Sequence, residues 1–124
     1  MPTTSTQRLS WAAFVVAIAG NLAMLYWPRP VDTGGVPHLD KVAHLAAFAA
    51  VAWTGLRAGL PAGWLLPVLA VHAVTSELAQ AWLLPDRSGD PRDVVADLLG
   101  VLAGTVLWRA SWPYGRAAPS ARGR

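Results

Sequence analysis

Residues 9–27, LSWAAFVVAIAGNLAMLYW, contain no charged side chain. As a helix rising about 1.5 Å per residue, this run is about as long as the ~30 Å hydrocarbon core of a bilayer is thick. Its polar interruptions are Ser10 and Asn21. A secretory signal would carry a shorter apolar region followed by small residues at a cleavage site. Here LYWPRP follows instead, so the segment reads as a retained membrane-spanning helix.

Three further apolar segments follow. Residues 39–60 have a shorter clean apolar stretch, which Lys41 and Arg57 extend by laying their stems along it and placing their charges at its ends. Residues 64–84 are interrupted by Pro67, His72, Glu77 and Gln80, and residues 94–112 by Asp97 and Arg109. The connections are rich in proline and glycine. The composition agrees with a membrane chain: 54% of residues are hydrophobic and 14% charged, against about 25% charged in a soluble domain. With no cysteine there is no disulfide, thiolate nucleophile or cysteine-ligated metal. The net charge of +3 is small and the basic residues form no helical stripe, which argues against a nucleic-acid partner. The pattern predicts an all-α membrane protein, a bundle of four transmembrane helices at about 9–27, 39–60, 64–84 and 94–112. Residues 113–124 read as a disordered basic tail.

Four spans place both termini on one side. That side collects Arg8, Arg57, Arg109, Arg116, Arg122 and Arg124, and no acid. All seven acids fall on the other side, with Arg29, Lys41, Arg87 and Arg92. The positive-inside rule then makes both termini cytoplasmic, in a multi-pass protein of the cell membrane. Trp11, Trp64, Trp108 and Trp112 fall at the inner ends of the spans, and Tyr26, Trp27 and Trp82 at the outer ends, as interfacial belts. Trp53 does not fit a belt and is expected to pack within the bundle.

The ionisable residues within the spans converge at one level. Asp40 and His44 are i, i+4 at the start of the second span, with Lys41 between them. Glu77 and Gln80 are i, i+3 in the outer half of the third, and Asp93 and Asp97 are i, i+4 at the start of the fourth. Polar groups at such depth cost about 3 kcal/mol each at mid-membrane and are expected to face one another or a wet cavity. One proton is expected to be shared between Glu77 and Asp97 unless a metal lies between them. His72 reads as structural. Asp86, Asp90 and Arg92 read as loop charges, and the GVLAG of Gly100 and Gly104 as a site of close helix contact.

The ordered set LDKVAHLAAF, SELAQ and PDRSGDPRDVVADLLGVLAG resembles the VanZ-like family of small membrane proteins. The matching residues are Asp40, Lys41, His44, Glu77, Gln80, Arg87, Asp93, Asp97, Gly100 and Gly104, across about 38–108. Asp97 stands where that family often has asparagine. The resemblance implies a membrane bundle with one polar site and a link to glycopeptide resistance.

Three functions fit these residues. In the first, a site near the extracytoplasmic face binds or processes an anionic cell-envelope lipid or lipid-linked glycan. Lys41, Arg87 and protonated His44 would neutralise the head group, and Glu77 would act as acid or base. Asp93 and Asp97 would supply a second carboxylate or, with Asp40, hold a divalent cation, and Gln80 would orient Glu77. No Gly-x-Ser-x-Gly or HExxH motif is present, and Ser76 has no histidine placed to activate it. In the second, the same pocket recognises a ligand without chemistry. In the third, His72 and Glu77 relay ions in a small carrier. The sequence leaves the metal and the oligomeric state open.

Overall fold

Local backbone chemistry sets the helix ends. The computed structural model describes residues 4–30 and 32–111; Trp112 and the predicted tail lie outside them. Within them the chain forms α1 (Ser5–Tyr26), α2 (Leu39–Ala58), α3 (Ala62–Leu83) and α4 (Pro91–Ser111). Among the described residues the helices are the only regular elements, the all-α architecture expected. Helix α1 starts ahead of its apolar run because Thr4 caps it, its hydroxyl accepting from the Gln7 backbone N–H at 3.2 Å. Helix α2 stops short of Leu60 because Gly59 adopts φ 99°, a left-handed cap that returns its N–H to the last turn. Helix α4 starts at Pro91, whose missing N–H costs nothing in a first turn. Asp90 precedes it and accepts from the Arg92 N–H at 2.9 Å, as a capping side chain does.

The four helices run alternately up and down. Helix α2 is central: it touches all three others and packs most extensively on α4. Among the described residues α1 makes no contact with α4. Glycine sets the α2–α4 approach. A Cβ on Gly100 would overlap the Leu45 carbonyl oxygen, and one on Gly104 that of Ala49. The close-contact reading of this pair therefore holds. Gly55 does the same for α1 and α3, where a Cβ would meet Leu65 Cδ2 at 2.7 Å and Phe14 Cε2 at 2.9 Å.

The buried residues form one stripe per helix: His44, Phe48, Val51, Ala52 and Gly55 on α2; Leu69, Ala73, Ser76, Glu77 and Gln80 on α3; Asp93, Ala96, Asp97, Gly100 and Gly104 on α4. At the end where α2 and α4 begin, these stripes are polar. Deeper in they are apolar, around Phe48, Leu56 and Leu65. The outer faces are apolar along much of their length, with Val15, Val16, Val71, Leu102, Val106 and Leu107 exposed. Three helices, α1, α3 and α4, are long and apolar enough to cross a membrane. Helix α2 does not meet that standard, because Asp40, Lys41 and Arg57 shorten its apolar part. Trp53, expected inside the bundle, is half-buried and carries the Arg57 guanidinium over its ring at 5.0 Å.

Candidate functional site

The starts of α2 and α4 and the last turns of α3 bring the predicted residues together in two linked groups. The first surrounds the Lys41 ammonium. It donates to Asp40 Oδ2 at 3.0 Å, Asp90 Oδ2 at 3.0 Å and Asp93 Oδ1 at 2.9 Å. An ammonium has three N–H groups, and here each has a carboxylate. The sequence grouping of Asp40, Asp93 and Asp97 around a divalent cation therefore divides: the protein's own lysine sits on Asp40 and Asp93, and Asp97 faces elsewhere.

The second group is deeper. His44 Nδ1 lies 2.8 Å from Oδ1 of the fully buried Asp97, within hydrogen-bond distance. Its Nε2 is 3.7 Å from Asp93 Oδ2, which links the two groups. Glu77 Oε2 accepts the Asp90 backbone N–H at 3.0 Å. One ligand-type atom each of His44, Glu77 and Asp97 lie within 4.8 Å of one another. The i, i+4 spacings thus identified a real convergence. One oxygen of each carboxyl has a partner of its own: His44 for Asp97, the Asp90 N–H for Glu77. Glu77 Oε1 and Asp97 Oδ2 remain buried with no hydrogen-bond partner.

Gln80 and Arg87 lie to one side and serve α1. Gln80 Nε2 donates to the Leu25 carbonyl at 2.8 Å rather than to Glu77. Arg87 Nη1 donates to the carbonyls of Met24 and Trp27, each at 3.2 Å. These are the open carbonyls at the C-terminal end of a helix, where positive charge is favoured. Among the described residues no carboxylate forms an ion pair with Arg87. Arg87 nonetheless lines a pocket of about 100 Å³ with Met24, Leu39, Asp40, Ala43 and His44. This pocket reaches the polar cluster from the side of the α1–α2 connection.

Asp90, read from sequence as a loop charge, is a node of the site. Its backbone N–H holds Glu77, its Oδ1 caps α4 and its Oδ2 holds Lys41. The Arg92 N–H, and after it the Lys41 ammonium, hold its carboxyl below the ordinary carboxylate value. The signal was present in Asp90-Pro91, an N-cap residue followed by proline in the first helical position. Gly89 allows this placement, since a Cβ there would meet Ala81 Cβ at 2.7 Å and the Glu77 carbonyl at 3.0 Å.

His72 belongs to packing, as expected, but through a partner on another helix. Its Nε2 lies 3.1 Å from Asn21 Oδ1, and its ring lies against Phe48 with centroids 5.6 Å apart. Ser76 Oγ donates to the Ala73 carbonyl of its own helix at 3.0 Å. It is not presented as a nucleophile.

No family model, no curated protein and no solved structure matches this chain.

Proposed function

We propose that the chain is a VanZ-like integral membrane protein of the cell envelope whose buried polar cluster and adjoining pocket bind, and act on, an anionic envelope lipid or lipid-linked glycan. The observation that carries this is an inversion of polarity. The helices turn valine and leucine outward and enclose His44, Glu77, Gln80, Asp93 and Asp97. In water such an exterior is an aggregation liability, whereas in lipid it is the expected surface and the enclosed ionisable groups are the expected functional site. On this reading all four helices cross the membrane, both termini are cytoplasmic, and the polar end lies just beneath the extracytoplasmic face. Helix α2 tolerates its charges because they lie at its ends, where Lys41 is paired with Asp40, Asp90 and Asp93 and Arg57 rests over the Trp53 ring.

The pocket beside Arg87 suits an amphiphile. Met24, Leu39 and Ala43 offer an apolar wall, and Arg87 offers donors for a phosphate or carboxylate head beside the Asp32 and Asp40 carboxylates, which also line the pocket. Lys41, with its three carboxylates, has no N–H left for that head, so Arg87 is the principal anion contact. Glu77 is the acid or base if chemistry follows.

Binding by the purified chain in neutral detergent tests this. A polyisoprenyl phosphate and phosphatidylglycerol should bind more tightly than phosphatidylcholine, and Arg87→Ala should remove the preference. Equal binding of all three lipids would reject the anionic-lipid reading. A purely recognitional role draws support from the placement of Ser76, which leaves no activated nucleophile in the cluster. Glu77→Gln separates the two: it removes turnover if the site is catalytic and leaves binding intact in either case.

A further inference from the structure

We propose that His44, Glu77 and Asp97 form a binding site for one divalent transition-metal ion of the zinc class. The inference stands apart from the lipid reading, because it rests on the donor set alone. Three observations carry it. One ligand atom from each residue lies within 4.8 Å of the other two. All three side chains are buried, Asp97 completely. And two oxygens of the group, Glu77 Oε1 and Asp97 Oδ2, are buried without any hydrogen-bond partner.

Buried polar atoms are rarely left unpaired, and a carboxylate oxygen without a donor loses its hydration for nothing in return. Neither nearby cation supplies the missing contact. Lys41 is bound to Asp40, Asp90 and Asp93, and Arg87 to the carbonyls of Met24 and Trp27. A metal ion would give each carboxylate a further partner and offset the repulsion between two enclosed carboxylates.

The geometry is close to what such an ion needs. Ligand atoms bound at about 2.0–2.2 Å can be at most about 4.3 Å apart, so a small side-chain rotation closes the set. The donors also choose the ion. One imidazole nitrogen with two carboxylates suits zinc or manganese; magnesium and calcium favour all-oxygen shells. Three protein ligands leave a coordination position for water or for an anionic oxygen. Outer contacts are close at hand: Asp93 Oδ2 lies 3.7 Å from His44 Nε2, and the Asp90 N–H holds Glu77 Oε2.

The full chain in detergent, stripped with a chelator, should bind Zn²⁺ at one ion per chain by calorimetry and elemental analysis. Mn²⁺ should bind more weakly, and Mg²⁺ and Ca²⁺ more weakly again. His44→Ala, Glu77→Gln and Asp97→Asn should each weaken Zn²⁺ binding by more than about ten-fold, the lower bound even for groups that only orient a ligand. Asp86→Asn, in the exposed loop, should leave it unchanged. Absence of stoichiometric Zn²⁺ binding to the wild-type chain would overturn the proposal, whatever becomes of the variants. So would tighter binding of Mg²⁺ or Ca²⁺ than of Zn²⁺, or unchanged affinity in folded His44→Ala.

Discussion

Lys41 and Asp90 hold the upper part of the site through opposite kinds of contact. Lys41 gathers three carboxylates, and the one that matters energetically is Asp93, whose side chain is 10% exposed against 52% for Asp40 and 38% for Asp90. Exposed ion pairs contribute little, whereas a buried carboxylate that loses its cation is costly. Lys41→Met should therefore destabilise the chain by on the order of 3 kcal/mol, read as a lower melting temperature in detergent; an unchanged melting temperature would mean that Asp93 is solvated. Asp90 gives a pH signature. Its carboxyl is held low, first by the Arg92 N–H and then by Lys41. A group favoured as the anion in the folded state adds stability above its unfolded value, near 3.8, and loses it as the pH falls through that region. Asparagine keeps a capping oxygen but not the charge. The wild type should melt above Asp90→Asn at about pH 6, and the gap should shrink below about pH 4. A gap that widens on acidification would contradict the assignment.

Among the helices, α2 and α4 form the most intimate pair, and glycine explains it. Gly100→Ala would push a methyl against the Leu45 carbonyl and should cost about 1–3 kcal/mol. Gly20→Ala places its methyl where nothing lies within 4 Å, and should be neutral or stabilising by up to about 1 kcal/mol. Melting temperatures of the two variants, compared with the wild type, check both signs. The helices were legible in the sequence because an apolar run of this length has few alternatives. Their ends were less so, since hydropathy marks where charges begin and the Thr4, Gly59 and Asp90 caps mark where the backbone turns. The convergence of His44, Glu77, Asp93 and Asp97 followed from i, i+4 spacing on three helices. Spacing within one helix carries no information about partners on another. It could not reveal that Gln80 and Arg87 cap α1, that Asn21 meets His72, or that Lys41 rather than a metal occupies Asp40 and Asp93.

For the molecule as a whole, the arrangement makes sense as a membrane protein turned inside out relative to a soluble one, with apolar faces outward and a polar cluster enclosed at one end. The most direct measurement is the sidedness of that end. The chain has no cysteine, so single cysteines report without background. Ser5→Cys lies at the start of α1, and Ser88→Cys in the loop over the polar cluster. In intact cells a membrane-impermeant maleimide should label Ser88→Cys and should reach Ser5→Cys only after permeabilisation. Equal labelling of both positions in intact cells, or labelling of neither before permeabilisation, would contradict a bundle that crosses the membrane with its polar site beneath the outer face.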